Sequence, residues 1–192
     1  MRVISGTFKG RKLASFRGQC IRPTSDRVRE AIFNILTINW EGKEVLDLFA
    51  GTGGLGIEAL SRGARRVFFI ENDPRAILVL EKNIKALNLT SQCELVKLSV
   101  EEGIRVVGKR GWKFDIAFLD PPYSKGLAES TLHLIAESDM LKEDGMVIVE
   151  HHYKETLLDR YQGLQMGDRR KYGSTGVSFF LAALPEAVVP DV

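Results

Sequence analysis

The spacing of the hydrophobic positions changes at about residue 44, and this change separates two regions of the chain. Beyond that point, short and nearly continuous apolar runs predict buried strands at 45–49, 67–70, 93–98, 114–119, 146–150, 165–172 and 177–184. Apolar residues at helical spacing predict helices at 54–62, 74–87 and 126–138. Buried strands that alternate with helices favour an α/β fold, in which helices cover both faces of a mostly parallel sheet.

The first 40 residues have a different pattern. Segments 2–6 and 9–13 are predicted to pair as a hairpin, and a helix is predicted to follow Pro23. The apolar stripe of that helix consists of Val28, Ala31, Ile32, Ile35 and Leu36. Arg27 and Arg29 lie off this stripe, so we expect them to reach solvent or a ligand.

We therefore expect three segments. A basic extension at 1–40 packs on the core, a larger domain spans 41–184, and a tail at 185–192 is disordered because it has two prolines and no helical period.

The net charge of +2 conceals an uneven distribution. Residues 1–30 carry a net charge of +6, whereas the remainder carries −4. Residues 1–30 thus form a basic arm, and the rest of the chain is mildly acidic. This distribution predicts a polyanionic partner that binds the arm.

Composition also excludes several classes of protein. No apolar run approaches the ~18–20 residues that span a bilayer, and the charged N-terminus does not resemble a secretory signal. We therefore expect a cytoplasmic protein that does not bind membranes. Cys20 and Cys93 are far apart, and the three histidines (His133, His151 and His152) lack the spacing of metal ligands, so no metal site is predicted.

A glycine-rich turn follows the first strand of the larger domain. Gly51, Gly53 and Gly56 match the pattern G-x-G-x-x-G between a strand and a helix, and Glu71 follows Gly51 by 20 residues, at the end of the second strand. This arrangement predicts a cofactor that contains adenosine, either NAD or S-adenosylmethionine.

Asp47 favours S-adenosylmethionine over NAD. The pyrophosphate of a dinucleotide lies at the glycine turn, where a carboxylate four residues before Gly51 would repel it. S-adenosylmethionine has no phosphate and carries an ammonium and a sulfonium, which an acid attracts. A chain of 192 residues also leaves too little length for a separate hydride-acceptor domain.

From Val45 to about Leu184 the sequence resembles the S-adenosylmethionine-dependent methyltransferases, which have a seven-stranded Rossmann-like fold. The resemblance implies that Glu71 binds the ribose hydroxyls and that Asn72 and Asp73 flank the adenosine. It places Ser99 and Val100 at the edge of the adenine. Against the methionine moiety it places Asp47, Phe49, Ala50, Gly51, Thr52 and Gly53.

A second motif, Asp120-Pro121-Pro122-Tyr123, follows the fourth strand. In a doubly wound sheet this strand lies beside the first, so the motif and the glycine turn are expected to converge. The motif resembles the [DN]-P-P-[YF] signature of methyltransferases that act on a planar nitrogen. In that chemistry Asp120 and the Pro121 carbonyl accept hydrogen bonds from an exocyclic amine, Pro122 offers no competing N–H, and Tyr123 stacks on the base.

The arm carries the most specific pattern. The N-terminal region resembles the RsmD-type bacterial family in residues 6–13 (GTFKGRKL), in residues 22–30 (RPTSDRVRE) and in Phe33-Asn34. Members of that family methylate the N2 amino group of a guanine in small-subunit (16S) ribosomal RNA. The resemblance implies a monomer that acts on an assembling subunit, with Arg22 and Thr24 folded towards the cofactor. The expected RNA-binding residues are Arg2, Lys9, Arg11, Lys12, Arg22, Thr24, Arg27 and Arg29.

Several alternatives remain open. Adenine-N6 or cytosine-N4 DNA methyltransferases share the Asp-Pro-Pro-Tyr motif, although they usually carry a recognition domain. A protein-glutamine methyltransferase and a non-catalytic RNA-binding assembly factor are further alternatives. His151 and His152 follow the fifth strand, and we favour surface positions at the strand end over a substrate contact for both.

Overall fold

The computed structural model describes residues 1–15, 26–123 and 126–183. The expectations for Cys20, Arg22, Thr24 and the tail at 185–192 therefore lie outside the described residues.

Within the described ranges, eight strands form one sheet, in the order β3-β2-β1-β4-β5-β8-β7-β6. The first five strands run parallel, and the last three add antiparallel pairings at one edge. The expectation of seven strands was wrong, because the two-residue strand β6 is too short to give a hydrophobic period. The strands are β1 Glu44–Leu48, β2 Arg66–Ile70, β3 Cys93–Val96, β4 Phe114–Leu119, β5 Leu141–His152, β6 Arg160–Tyr161, β7 Leu164–Tyr172 and β8 Thr175–Ala182.

Five α-helices lie in the described part of the chain, together with a short 3₁₀ turn at Thr90–Gln92. The helices are α1 Asp26–Ile35, α2 Gly54–Ser61, α3 Pro74–Ala86, α4 Val100–Lys109 and α5 Leu127–Glu137. None of them is long and apolar enough to cross a membrane.

Helices cover both faces of the sheet, as the sequence predicts. One face packs against α1, α2 and α3 in a core that contains Phe33, Ile57 and Leu80. The other face packs against α4 and α5, with Ile104 and Leu132 in the core. Successive residues of β2 point alternately into the two cores, which explains its nearly continuous apolar sequence.

The N-terminal segment forms the expected hairpin and is fastened to α2. Arg2 pairs with Lys12 as an antiparallel bridge. The buried carboxylate of Glu58 accepts hydrogen bonds from the backbone N–H groups of Ile4 (2.8 Å) and Ser5 (3.0 Å). It also pairs with Arg62 Nε at 2.9 Å. The arm is thus bound to the helix that begins at the glycine turn.

We predict that Glu58→Gln destabilises this attachment. An amide offers one acceptor oxygen in place of two, so one buried N–H loses its partner, and the free energy of unfolding should fall by about 1–3 kcal/mol. Hydrogen exchange should accelerate at the amides of Ile4 and Ser5. Glu94→Gln removes an exposed carboxylate and serves as the control. Equal stabilities and equal exchange rates in the two variants would contradict this role for Glu58.

Candidate active site

The parallel pairing of β1 with β4 brings the two sequence motifs together. Asp47 is paired with Phe118, and Leu48 with Leu119, so both strands end at the same edge of the sheet. The N–H of Asp120 lies 3.5 Å from the carbonyl oxygen of Leu48. The loops that follow the two strands therefore begin side by side, although the two aspartates are 73 positions apart.

A pocket of about 900 Å³ opens at this edge. Every residue expected to be catalytic or to bind the cofactor lines it, with the exception of Gly53. These lining residues are Asp47, Phe49, Ala50, Gly51, Thr52, Glu71, Asn72, Asp73, Ser99, Val100, Asp120, Pro121, Pro122 and Tyr123. Met1, Ser15, Arg29 and Leu134 also line the pocket and were not expected there from the sequence.

The glycine turn depends on left-handed backbone conformations. Gly51 (φ 56°) and Gly53 (φ 83°) adopt them without a steric penalty, and Phe49 (φ 58°) adopts one although it has a side chain. A Cβ on Gly53 would lie 2.4 Å from Leu80 Cδ1, so Gly53 faces the core instead of the pocket. Its part in the site is to turn the chain into α2.

Asp47 is a buried acid at the floor of the pocket, with 2% of its surface exposed. Its Oδ2 accepts a hydrogen bond from Gly56 N at 2.8 Å. Burial raises the pKa of Asp47 to about 8, assisted by the nearby charge of Glu71 and opposed by the Gly56 hydrogen bond. The carboxyl is therefore largely protonated at neutral pH until a cation approaches it.

Glu71 ties the glycine turn to the end of β2. One carboxylate oxygen accepts a hydrogen bond from Gly51 N at 2.7 Å, and the other accepts from the N–H groups of Asn72 and Asp73, both at 2.8 Å. A carboxylate offers about four acceptor positions, so room remains for a ligand hydroxyl. Asp73 in turn caps α3 by accepting from Arg75 N.

Ser99 and Val100 lie at the start of α4, a helix that the apolar pattern did not predict. The Ser99 hydroxyl and the Glu102 carboxylate form a capping box, in which each side chain bonds the backbone N–H of the other residue. The Ser99 hydroxyl is thus engaged within the protein. Its contribution to the pocket is the position of its backbone.

The Asp-Pro-Pro-Tyr turn is held by groups from two other strands. The Tyr123 hydroxyl donates to Glu150 Oε1 at 3.0 Å and lies 3.0 Å from Thr175 Oγ1. Burial raises the pKa of Tyr123 to about 12, and the charge of Glu150 adds to the shift. The hydroxyl therefore stays protonated. The sequence showed Glu150 only as an acid at the end of a strand, and Thr175 gave no signal at all.

The two histidines after Glu150 have different environments. His151 is fully buried, with Nε2 2.9 Å from Ser178 Oγ and Nδ1 2.9 Å from the carbonyl oxygen of His152. The surface position expected for His151 was therefore wrong, and burial lowers its pKa, which favours the neutral ring. His152 is half-buried, and its ring centroid lies 5.9 Å from that of Tyr123.

The basic residues of the arm also separate into two groups. The exposed side chains are those of Arg2, Lys9, Arg11, Lys12 and Arg27. Arg29 has no exposed surface, which argues against the RNA contact expected of it. It lies on the inner side of α1 and lines the pocket.

Comparison with known proteins assigns the chain to a family. The family model described as "Conserved hypothetical protein 95" matches residues 1–181. The chain belongs to this family. Its membership confirms the resemblance expected from the arm and core motifs.

Relatives in this family match over most of their length. A Haemophilus influenzae protein named ribosomal RNA small subunit methyltransferase D is 38% identical, and the match covers 82% of each chain. The YlbH protein of Bacillus subtilis is 42% identical over 94% of this chain and 98% of its own. The solved structure of the yhhF protein of Escherichia coli is 31% identical, covers 95% of this chain and 98% of its own, and superposes with a TM-score of 0.84.

We predict that Asp47 makes the stability of this family member depend on pH. Between its ordinary pKa of 3.8 and the raised value of about 8, the folded chain keeps a proton that the unfolded chain has lost. The free energy of unfolding should therefore fall as pH rises through this window, by at most about 1.4 kcal/mol per pH unit. Asp47→Asn should remove this part of the slope in denaturant titrations.

Asp144→Asn, which changes an exposed acid, should retain the wild-type slope. If wild type and Asp47→Asn gave parallel curves of stability against pH, Asp47 would not carry the raised pKa.

Proposed function

We propose that the chain transfers a methyl group from S-adenosylmethionine to the exocyclic N2 amino group of a guanine in small-subunit (16S) ribosomal RNA. The observation that carries the proposal is the single pocket lined by both the glycine turn and the Asp-Pro-Pro-Tyr turn. The name of the 38%-identical relative, a ribosomal RNA small subunit methyltransferase, supports the choice of RNA as substrate.

The residues of the pocket fit this cofactor. When bound, the cofactor supplies an electrophilic methyl group on a sulfonium. Asp47 is a buried acid suited to an ammonium group, and the remaining acceptor position of Glu71 suits a ribose hydroxyl. Val100 provides an apolar wall for the adenosine, and Phe49 provides one for the methionine moiety. The Glu71 carboxylate beside the glycine turn repels the pyrophosphate of NAD, and a buried acid such as Asp47 gains its charge only next to a cation.

The Asp-Pro-Pro-Tyr turn provides the groups that act on the target nitrogen. An exocyclic amine is a weak nucleophile because its lone pair is delocalised into the ring. Hydrogen bonds accepted by Asp120 and by the Pro121 carbonyl orient the amine and stabilise the positive charge that develops on it. The amine nitrogen would form its bond to the methyl carbon as the carbon–sulfur bond breaks, which leaves a neutral thioether. The nitrogen would then lose one proton, which the Asp120 carboxylate would accept and pass to water.

Tyr123 provides the surface on which the target base stacks. Its hydroxyl is anchored by Glu150 and Thr175, so the ring is fixed at the pocket wall. A guanine N2 inside a paired helix cannot reach the pocket, so the target lies in a loop or is turned out of its stack.

The exposed arm supplies the contact with the polyanion. Five of the arm's cations face solvent on the hairpin and on α1. Phosphate contacts of this kind give affinity and register without reading the sequence, and the pocket selects the base. We propose that the protein acts as a monomer in the cytoplasm on a ribonucleoprotein particle during subunit assembly.

We predict that Asp120→Ala lowers the rate of methyl transfer to ribosomal RNA by about 10²- to 10³-fold, because the developing charge on the nitrogen loses its partner. Isothermal titration calorimetry should show that the variant still binds S-adenosylmethionine, and that neither protein binds NAD. Asp144→Asn is the control for a lost surface acid. Full activity in Asp120→Ala would refute the catalytic assignment, and binding of NAD in place of S-adenosylmethionine would refute the cofactor.

We predict that the triple variant Lys9→Glu, Arg11→Glu, Lys12→Glu binds RNA more weakly and has a shallower dependence on salt, by about two to three units of the log–log slope. Cofactor binding should persist, since these side chains are exposed and do not line the pocket. The matched control reverses three exposed lysines elsewhere, at Lys82, Lys85 and Lys109. Loss of both RNA and cofactor binding would assign the arm a folding role instead.

A further inference from the structure

Arg29 is the only arginine of the described chain that is completely buried. Its Nη2 donates to the carbonyl oxygen of Arg2 and to Asp26 Oδ1, the latter at 3.1 Å. Within the described residues, its Nε and Nη1 have no hydrogen-bond partner. A buried guanidinium with unsatisfied N–H groups is unfavourable, so its presence calls for a partner that the described residues do not provide.

The guanidinium lies at the wall of the pocket, over the first turn of α2. A Cβ built on Gly54 would be 3.5 Å from Arg29 Nη1 and 3.0 Å from Met1 Sδ. The absence of a side chain at Gly54 therefore leaves space beside Nη1. Arg29, Gly54 and Met1 all line the pocket.

Two positive features meet at this point. The first turn of α2 contains no acidic residue, and the N-terminal end of a helix carries a partial positive charge. The Arg29 guanidinium adds a full positive charge next to it, which Asp26 compensates only in part because Asp26 is half-exposed to water. A group with a single negative charge would therefore be stabilised beside Arg29 and the N-terminal end of α2.

We propose that Arg29 binds the α-carboxylate of the methionine moiety of S-adenosylmethionine. This inference rests on the proposed function and assigns a group of the cofactor that Asp47 and Glu71 do not account for. A carboxylate fits better than a phosphate, because the Glu71 carboxylate in the same pocket opposes a doubly charged anion.

In the proposed complex, the Met1 side chain moves to make room for the carboxylate. The Met1 sulfur and Arg29 Nη1 both lie within 3.5 Å of a Cβ built on Gly54, and Met1 is half-buried at the pocket wall. Met has three rotatable bonds and adapts readily to a neighbouring group. The carboxylate then takes the place of the Met1 sulfur, and the Arg29 side chain keeps its bonds to Arg2 and Asp26.

The test compares two ligands that differ only in the carboxylate: S-adenosylmethionine and its decarboxylated analogue. Calorimetry gives both Kd values for wild type, Arg29→Met and Arg29→Lys. Wild type should prefer the carboxylated ligand by about 10- to 100-fold, as expected for a hydrogen bond between charged groups. In Arg29→Met the preference should fall to within about threefold, and Arg29→Lys should be intermediate because it keeps the charge but not the planar donors.

The ratio of the two Kd values separates binding from folding. A variant that is merely destabilised binds both ligands less well, whereas loss of a carboxylate partner changes their ratio. Arg105→Met, which removes an exposed arginine of α4, serves as the control and should keep the wild-type ratio. If Arg29→Met fails to fold, Arg29→Lys and the wild-type preference still decide the question.

Three results would overturn the proposal. An undiminished preference in both Arg29 variants would leave Arg29 with a structural role only. A wild-type protein that binds both ligands equally would show that no residue of the pocket recognises the carboxylate. Failure of wild type to bind either ligand would refute the proposed cofactor, and this assignment with it.

Discussion

The parallel pairing of β1 with β4 is the interaction on which the candidate site depends. Residues far apart in sequence become neighbours because the two strands end together, with Asp120 N beside the carbonyl oxygen of Leu48. Both strands lie at the centre of the sheet, between the two cores, so their register is fixed on both faces. A shift by one residue would turn Asp47 out of the pocket floor.

Helix α2 joins the remaining parts of the site to this centre. Its first turn begins at the glycine turn and lies beside Arg29, while Glu58 and Ser61 hold the arm hairpin. The arm is an extension in the sequence, but in the folded chain Met1 and Arg29 line the same pocket as Asp47. The uneven distribution of charge along the sequence is therefore also seen in the fold: the exposed cations lie on the arm, and the acids lie inside the pocket.

Features with a local signal were predictable from the sequence, and features set by packing were not. The glycine turn, the Asp-Pro-Pro-Tyr turn and the central strands follow from short patterns of residue type. The apolar pattern did not predict helix α4, because its clearest signal is the polar cap formed by Ser99 and Glu102. Burial of Arg29 and His151 depends on which face of an element meets its neighbours, and no pattern within either element specifies that.

If one pocket presents an exocyclic amine of RNA to a methyl donor, as we propose, the RNA gains a single methylated base. The direct measurement is mass-spectrometric mapping of 16S ribosomal RNA after incubation of the protein and S-adenosylmethionine with naked RNA and with small-subunit particles. We expect one new N2-methylguanosine, formed more efficiently in the particle. A methyl group on another atom, or no methylated nucleoside with either substrate, would contradict the proposal.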